Sequence, residues 1–254
     1  MTLSTERCLE ALGTHSAALA DAAVGHLAAP VQHCPGWSVA DLVHHLTDVQ
    51  WFWRWVAENR PSTFPGSLDR PERAPDDELV PVLRRTTTEL VETLAEADQA
   101  APCWTWHPAR QDIGFITRHQ VQEAAVHHWD AAHAAGGRTD IADDVAADAV
   151  EEFLACSVAS VADPMTDEQA RGVQPLGGRL VLHSAPGREW TVTDAEVPRA
   201  LAWQRGATAP ATGTVRGTAG ELLLWLYRRV DLPVETLPSA TDLVERFRAY
   251  AFTD

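Results

Sequence analysis

Glu123 and His127 stand four residues apart in the stretch RHQVQEAAVHHWDAAHAAG at positions 118–136, beside His119, His128 and Asp130. Wound into a helix at about 100° per residue, Glu123 and His127 share one face, and Asp130 lies close to the same stripe. A carboxylate and an imidazole at this spacing can converge on one cation, as the paired residues of helical zinc motifs do. The same spacing also describes an ordinary solvated face, so a metal centre needs a third ligand from elsewhere. His119 is badly placed to supply it. It lies about 12 Å from His127 along a straight helix, against metal–ligand bonds of about 2 Å.

A second segment offers that ligand. Residues 35–59, PGWSVADLVHHLTDVQWFWRWVAEN, read as a helix with Ser38 as N-cap and Asp41 in the first turn. Leu42, Leu46, Val49, Trp53 and Val56 form its apolar stripe by i, i+3, i+4, i+7 spacing. His45 falls within that stripe, and His44 points about 100° further round, toward solvent. A histidine on a buried face can simply hydrogen-bond within the core. Beside Glu123 and His127, however, His45 completes a His/Glu/His set that leaves a fourth tetrahedral position open, as catalytic sites do.

Pro35, Trp37, Ser38, Asp41, Leu42, His45 and Leu46 follow the pattern P-x-W-S/T-x-x-D-L-x-x-H-L, which resembles a segment of the mycothiol-dependent maleylpyruvate isomerase family. Glu123, Val126, His127, Trp129 and Asp130 are similar to its second motif, H-E-x-x-V-H-R-W-D, with Gln122 in place of the first His and His128 in place of the Arg. The resemblance implies a DinB-like, up-down four-helix bundle in which His45, Glu123 and His127 hold a divalent metal, zinc by expectation. It also implies mycothiol as the thiol cosubstrate. The departures at Gln122 and His128 stand where a pocket wall is expected, so they leave the electrophile open.

The chain has 254 residues, 45% hydrophobic and 22% charged, enough for one large domain or two modest ones. Its net charge is −16, and all its basic residues are Arg. A surface that acidic lacks a phosphate-neutralising patch, which argues against nucleic-acid binding. Cys8, Cys34, Cys103 and Cys156 form no C-x-x-C pair and read as free thiols in a reducing compartment. The N-terminal residues carry no apolar signal-like run, and nothing is apolar for long enough to span a membrane. A cytoplasmic protein is expected.

Along the chain, helices are expected over residues 4–28, 35–59, 76–97, 113–135 and 143–162. His15 and His26 are taken as surface residues, and Asp76 or Asp77 as the cap of the third helix. The aromatic run 51–55 is expected in helix packing, and residues 61–75 as a long connection or lid. Residues 163–178 read as a linker, rich in Pro, Gly and charge. Beyond it come strand-like runs at 179–184, 188–193 and 200–204, the first two joined by a turn at 185–187, then short helices at 221–230 and 240–252. The expected architecture is thus an α-helical bundle, 1–162, a linker, 163–178, and a smaller α+β domain, 179–254. The last is similar to the sterol-carrier-like domain of the same family.

In that second domain Arg229 takes the position of an arginine in the family, and Arg228 replaces a glycine before it. The resemblance implies that Arg229 pairs with a carboxylate of the substrate or thiol, for which a planar guanidinium is suited. The alternative is an arginine complementing a helix C-terminus. The chemistry expected of such a site is deprotonation of a thiol followed by its addition to an electron-poor double bond. Rotation and elimination then give cis–trans isomerisation, and addition alone gives S-transfer. A metal-dependent hydrolase and a non-enzymatic metal-stabilised binding module are the alternatives. The expected partners are the thiol and a small-molecule electrophile, with neither nucleic acid nor membrane.

Overall fold

Four helices of two to three dozen ångströms are dictated by the apolar spacing of residues 5–134, and each starts where its local chemistry allows. The structure, a computed structural model, describes residues 2–158, 173–185, 187–197, 200–206 and 209–251. Residues 159–162 of the expected fifth helix, residues 163–172 of the expected linker, Pro186 and Phe252 lie outside the described residues. The chain divides into two compact units, Met1–Ile141 and Ala142–Asp254. The division falls earlier than the expected boundary at 162, so the fifth helix belongs with the sheet.

In the first unit α1 spans Thr5–Ala23 and is capped by Ser4, whose side chain accepts from the Arg7 N–H. α2, Val39–Asn59, starts with a reciprocal capping box between Ser38 and Asp41. α3, Asp76–Glu96, has Pro75 at its N-cap and no side-chain cap, so neither Asp76 nor Asp77 plays the expected part. Both carboxylates still sit in the first turn, where the helix dipole favours them. Pro81 lies inside the helix, one turn past its start, where the missing N–H forgoes one backbone hydrogen bond. α4, Ile113–Ala134, is capped by the Asp112 side chain.

α1 packs on α4 and α3, and α2 packs on α3 and α4, which closes a four-helix ring. Leu19, Val39, Leu42, Leu46, Leu79 and Leu83 fill part of its core. Gln50, fully buried, ties three helices together: it donates to Ser16 Oγ at 2.8 Å and accepts from Thr87 Oγ1 at 2.7 Å.

His15 is not the surface residue expected. It is 7% exposed, and its Nδ1 stands 3.1 Å from Nδ1 of His128 across the α1–α4 seam. Burial pushes the His15 imidazole down to about 4, and His128 and Arg7 add to the same direction. Between about pH 4 and 6.5 the unfolded chain therefore binds more protons at this residue than the native state does. Stability rises with pH across that window and is level above it. Passing from about pH 7 to about pH 5 is expected to cost about 2 kcal/mol through His15. Urea unfolding at the two pH values checks this, and His15→Gln should flatten the dependence.

In the second unit α5, Asp143–Phe153, continues into a π-helical turn, Leu154–Val158, and packs on α6, Ala219–Leu226. Among the described residues five strands form a sheet in the order β3-β2-β1-β4-β5: β1 Arg179–Ser184, β2 Arg188–Asp194, β3 Leu201–Arg205, β4 Gly213–Gly217 and β5 Val234–Thr236. Neighbours are antiparallel except β1 and β4, which run parallel with Leu182 opposite Val215. β4 and β5 were not expected from sequence. A Cβ added at Gly213 would fall 2.6 Å from Leu243 of α7, Leu243–Arg248, so that strand begins where glycine admits close packing. Glu151 of α5 receives the Trp190 indole N–H at 3.2 Å and a two-pronged contact from Arg205, which fixes the helix to β2 and β3.

α6 ends at Leu226, earlier than expected. Arg228 adopts φ +60°, and the N–H groups of Arg228 and Arg229 return to the carbonyls of Trp225 and Leu224. This is a Schellman ending in which the left-handed position, usually glycine, is an arginine. The Arg228 guanidinium donates to the carbonyls of Arg248 and Ala251, contacts that offset the backbone cost.

Candidate metal centre

The first unit brings His45, Glu123 and His127 together. Nε2 of His45 stands 3.0 Å from Oε1 of Glu123, and Nε2 of His127 stands 3.4 Å from the same oxygen. The two imidazole rings meet edge to face, with centroids 5.0 Å apart. One donor atom from each of the three residues lies within 4.8 Å of the other two. The positions follow from the helices: α2 presents His45 from its apolar stripe, and Glu123 and His127 are one turn apart on α4. Side chains on a helix lean toward its N-terminus, which lets the His127 ring reach back over Glu123.

This donor set fits a divalent ion. Bonds of about 2.0–2.1 Å at tetrahedral angles separate ligand atoms by about 3.3 Å, close to the two observed nitrogen–oxygen distances. Two imidazoles and one carboxylate also leave a divalent cation with residual positive charge.

The electrostatics match a cluster that attracts cations. Burial alone would raise the Glu123 carboxyl, but His127 and His45 against it hold it well below the usual carboxylate range. Burial would likewise lower His127, yet Asp130 and Glu123 outweigh it and raise the imidazole to about 9. Asp130 accepts from Nδ1 of His127 at 3.1 Å, and the Cys34 thiol donates to the same carboxylate oxygen at 3.9 Å. Trp37, from the loop before α2, lays its ring 4.9 Å from that of His45.

The other histidines of the two motifs stand apart from this donor set. His119 stacks on Phe115 and lies edge-on to Trp106 and Trp53, and Gln122 donates to its Nδ1 at 3.0 Å. The expected packing role of the aromatic run is partly realised here, since Trp53 also stacks on Trp104. His128 faces His15 on α1. His44 faces a cavity of about 240 Å³ between α2 and α3, beside Trp51, Arg54 and Glu89. Asp130 was visible in sequence as a neighbour of the stripe. Cys34 was not, because nothing in a loop cysteine's spacing says which helix it meets.

In the second unit Arg229 is 6% exposed and lies just beyond α6. Its Nη1 donates to the Tyr227 carbonyl at 2.9 Å, and its guanidinium carbon stands 5.9 Å from the Tyr227 ring centre. Among the described residues no helix is long and apolar enough to cross a membrane. Among the described residues no cysteine forms a disulfide.

Comparison with curated proteins finds no match. Among solved structures the chain is similar to a crystal structure of the mycothiol-dependent maleylpyruvate isomerase, with TM-score 0.59 and 12% identity, covering 92% of this chain and 95% of that one. A histidine-to-alanine mutant of that enzyme matches with the same figures. At that identity the likeness speaks for the fold. The family model described as Mycothiol maleylpyruvate isomerase N-terminal domain matches residues 6–132, and the one described as MDMPI C-terminal domain matches residues 144–245. With both models matched in order along one polypeptide, the chain belongs to the mycothiol maleylpyruvate isomerase family.

Proposed function

We propose that this protein is a metal-dependent enzyme that activates a low-molecular-weight thiol, with mycothiol as that thiol and zinc as the ion. The thiol serves S-transfer to, or cis–trans isomerisation of, a maleylpyruvate-like electrophile. The observation that carries the reading is the convergence of His45, Glu123 and His127, three donors that leave a tetrahedral ion one further position. A divalent ion bound there supplies the positive charge that favours thiolate over thiol at neutral pH.

The chain's own groups do the rest. Glu123, already ionised, needs no proton removed before it ligates. The Trp37 ring against His45 excludes water from one side of the imidazole. Arg229 pairs with a carboxylate of the electrophile or the thiol. The thiolate adds to the activated double bond, the resulting single bond rotates, and elimination restores the thiol with the trans alkene. No atom is gained or lost in isomerisation, and S-transfer is the same path stopped after addition and protonation. Cysteines outside any disulfide suit a reducing, cytoplasmic setting.

The test is turnover of maleylpyruvate by zinc-loaded protein with and without mycothiol. Thiol-dependent turnover that is abolished by a chelator is expected. Turnover without thiol would point to water activation, and none under either condition would leave a binding module. Arg229→Ala is expected to weaken the anionic ligand about ten- to a hundredfold, the worth of a charge-assisted two-pronged contact. Zinc content should not change. Arg229→Lys should recover only part of the loss, because a point charge cannot reproduce the planar fork. Unchanged kinetics in Arg229→Ala would make the residue structural.

A further inference from the structure

We infer that Asp130 is a positioning residue that fixes the tautomer and orientation of His127, so that Nε2 of that ring is the nitrogen offered to a metal. This rests on the metal-dependent reading for its consequence, and on the geometry of one imidazole for its content. The His127 ring spans two carboxylates. Nδ1 stands 3.1 Å from Oδ2 of Asp130, and Nε2 stands 3.4 Å from Oε1 of Glu123.

A neutral imidazole has one N–H and one lone pair. Whichever nitrogen keeps the proton cannot ligate. Asp130 is 2% exposed, and its side chain is fully out of water. A carboxylate in that position strongly favours an N–H on the nitrogen facing it, since losing the bond would leave a desolvated acceptor. Glu123 is the more exposed of the two and faces His45 as well. The proton therefore stays on Nδ1, and the Nε2 lone pair faces His45 and Glu123. The bond also stops the ring from turning about its χ2 axis, because a flip would take Nδ1 away from Asp130.

The spacing reinforces this. Asp130 is three residues beyond His127 on α4, so one rigid helix holds both groups and no loop needs to be ordered first. Cys34 enters from the loop before α2, and its thiol donates to the oxygen that already accepts from His127. The competing arrangement is a centre formed by Cys34, Asp130 and Nδ1 of His127 themselves, whose donor atoms are also mutually close. In that arrangement the cysteine is a ligand and its removal is severe. In the arrangement inferred here it is a weak donor and its removal is mild.

Two measurements decide. Zinc affinity by chelator competition is expected to fall about ten- to a hundredfold in Asp130→Asn, the usual cost of losing a carboxylate behind a ligating histidine. Asp130→Glu should recover part of that loss, and Cys34→Ser should stay near the wild type. Imidazole nitrogen NMR of the metal-free wild type, at a pH high enough for the ring to be neutral, is expected to show the Nδ1–H form. In Asp130→Asn the amide can donate to Nδ1, and the Nε2–H form should grow. An Nε2–H ring in the wild type overturns the inference without any variant having to fold. Unchanged zinc affinity in Asp130→Asn overturns it too, and a loss in Cys34→Ser as large as that in His45→Ala would make Cys34 and Asp130 ligands. If the wild type binds no zinc while its ring is the Nδ1–H form, the metal reading falls and the positioning stands.

Discussion

His45→Ala is expected to lower zinc affinity by about a hundred- to a thousandfold, while His44→Ala leaves it unchanged. A four-ligand zinc site is worth about 10–16 kcal/mol in peptides, or roughly 2.5–4 kcal/mol per ligand, and each 1.4 kcal/mol is about tenfold. His45 is the only one of the three donors contributed by α2, so removing it leaves both remaining donors on one helix. Its side chain is partly exposed, and its loss opens no large cavity in the core. His44, one position earlier, faces the α2–α3 cavity instead. Chelator competition on the two variants, with circular dichroism as the control for folding, gives the comparison. Equal losses from both would show that α2 presents a different face to α4.

Zinc affinity is also expected to climb about tenfold per pH unit from neutrality up to about pH 9, where it levels. In the metal-free protein Asp130 and Glu123 hold the His127 imidazole in its charged form up to about 9. Binding must then expel one proton, from Nε2. Above that pH the proton is already gone and the penalty disappears. Glu123 adds no slope at neutral pH, because its carboxyl ionises well below it. The rise across about two pH units should therefore approach a hundredfold, and the protons released at pH 7, measured in two buffers of different ionisation heat, should number close to one from His127. A flat profile would mean that His127 is not displaced from its proton and does not ligate.

The bundle and its candidate centre were largely legible in the sequence, and the reasons are local. α2 begins where Ser38 and Asp41 form their reciprocal cap, a signal written in four consecutive residues. Glu123 and His127 sit on one helix, so their convergence follows from spacing alone, and His45 follows from the α2 stripe. What escaped depends on partners far along the chain. His15 looks like a surface residue beside Thr14 and Ser16, and only the packing of α1 on α4 buries it against His128. β4 is a glycine-bounded run of five residues and β5 a run of three, too short for alternation to show. They are strands because β1 and β4 offer edges to pair with. The early end of α6 escaped for a different reason: an arginine at the left-handed position carries none of the signal that glycine would.

The parallel seam between β1 and β4 bears on the order in which the second unit assembles. Only three residues separate β1 from β2, which pair from Ser184 and Arg188 onward, a closure that costs little chain entropy. β4 reaches the other edge of β1 only after the chain has run through β2 and β3, and no pairing energy is returned until that long loop has closed. The meander of β1, β2 and β3 is therefore expected to form first, with β4, α6 and β5 joining it afterward. During the interval the outer edge of β1, with Leu180, Val181 and Leu182, is open to the backbone of any other chain nearby. The strand most deeply set in the finished sheet is thus the one most exposed to mispairing while the sheet is being made.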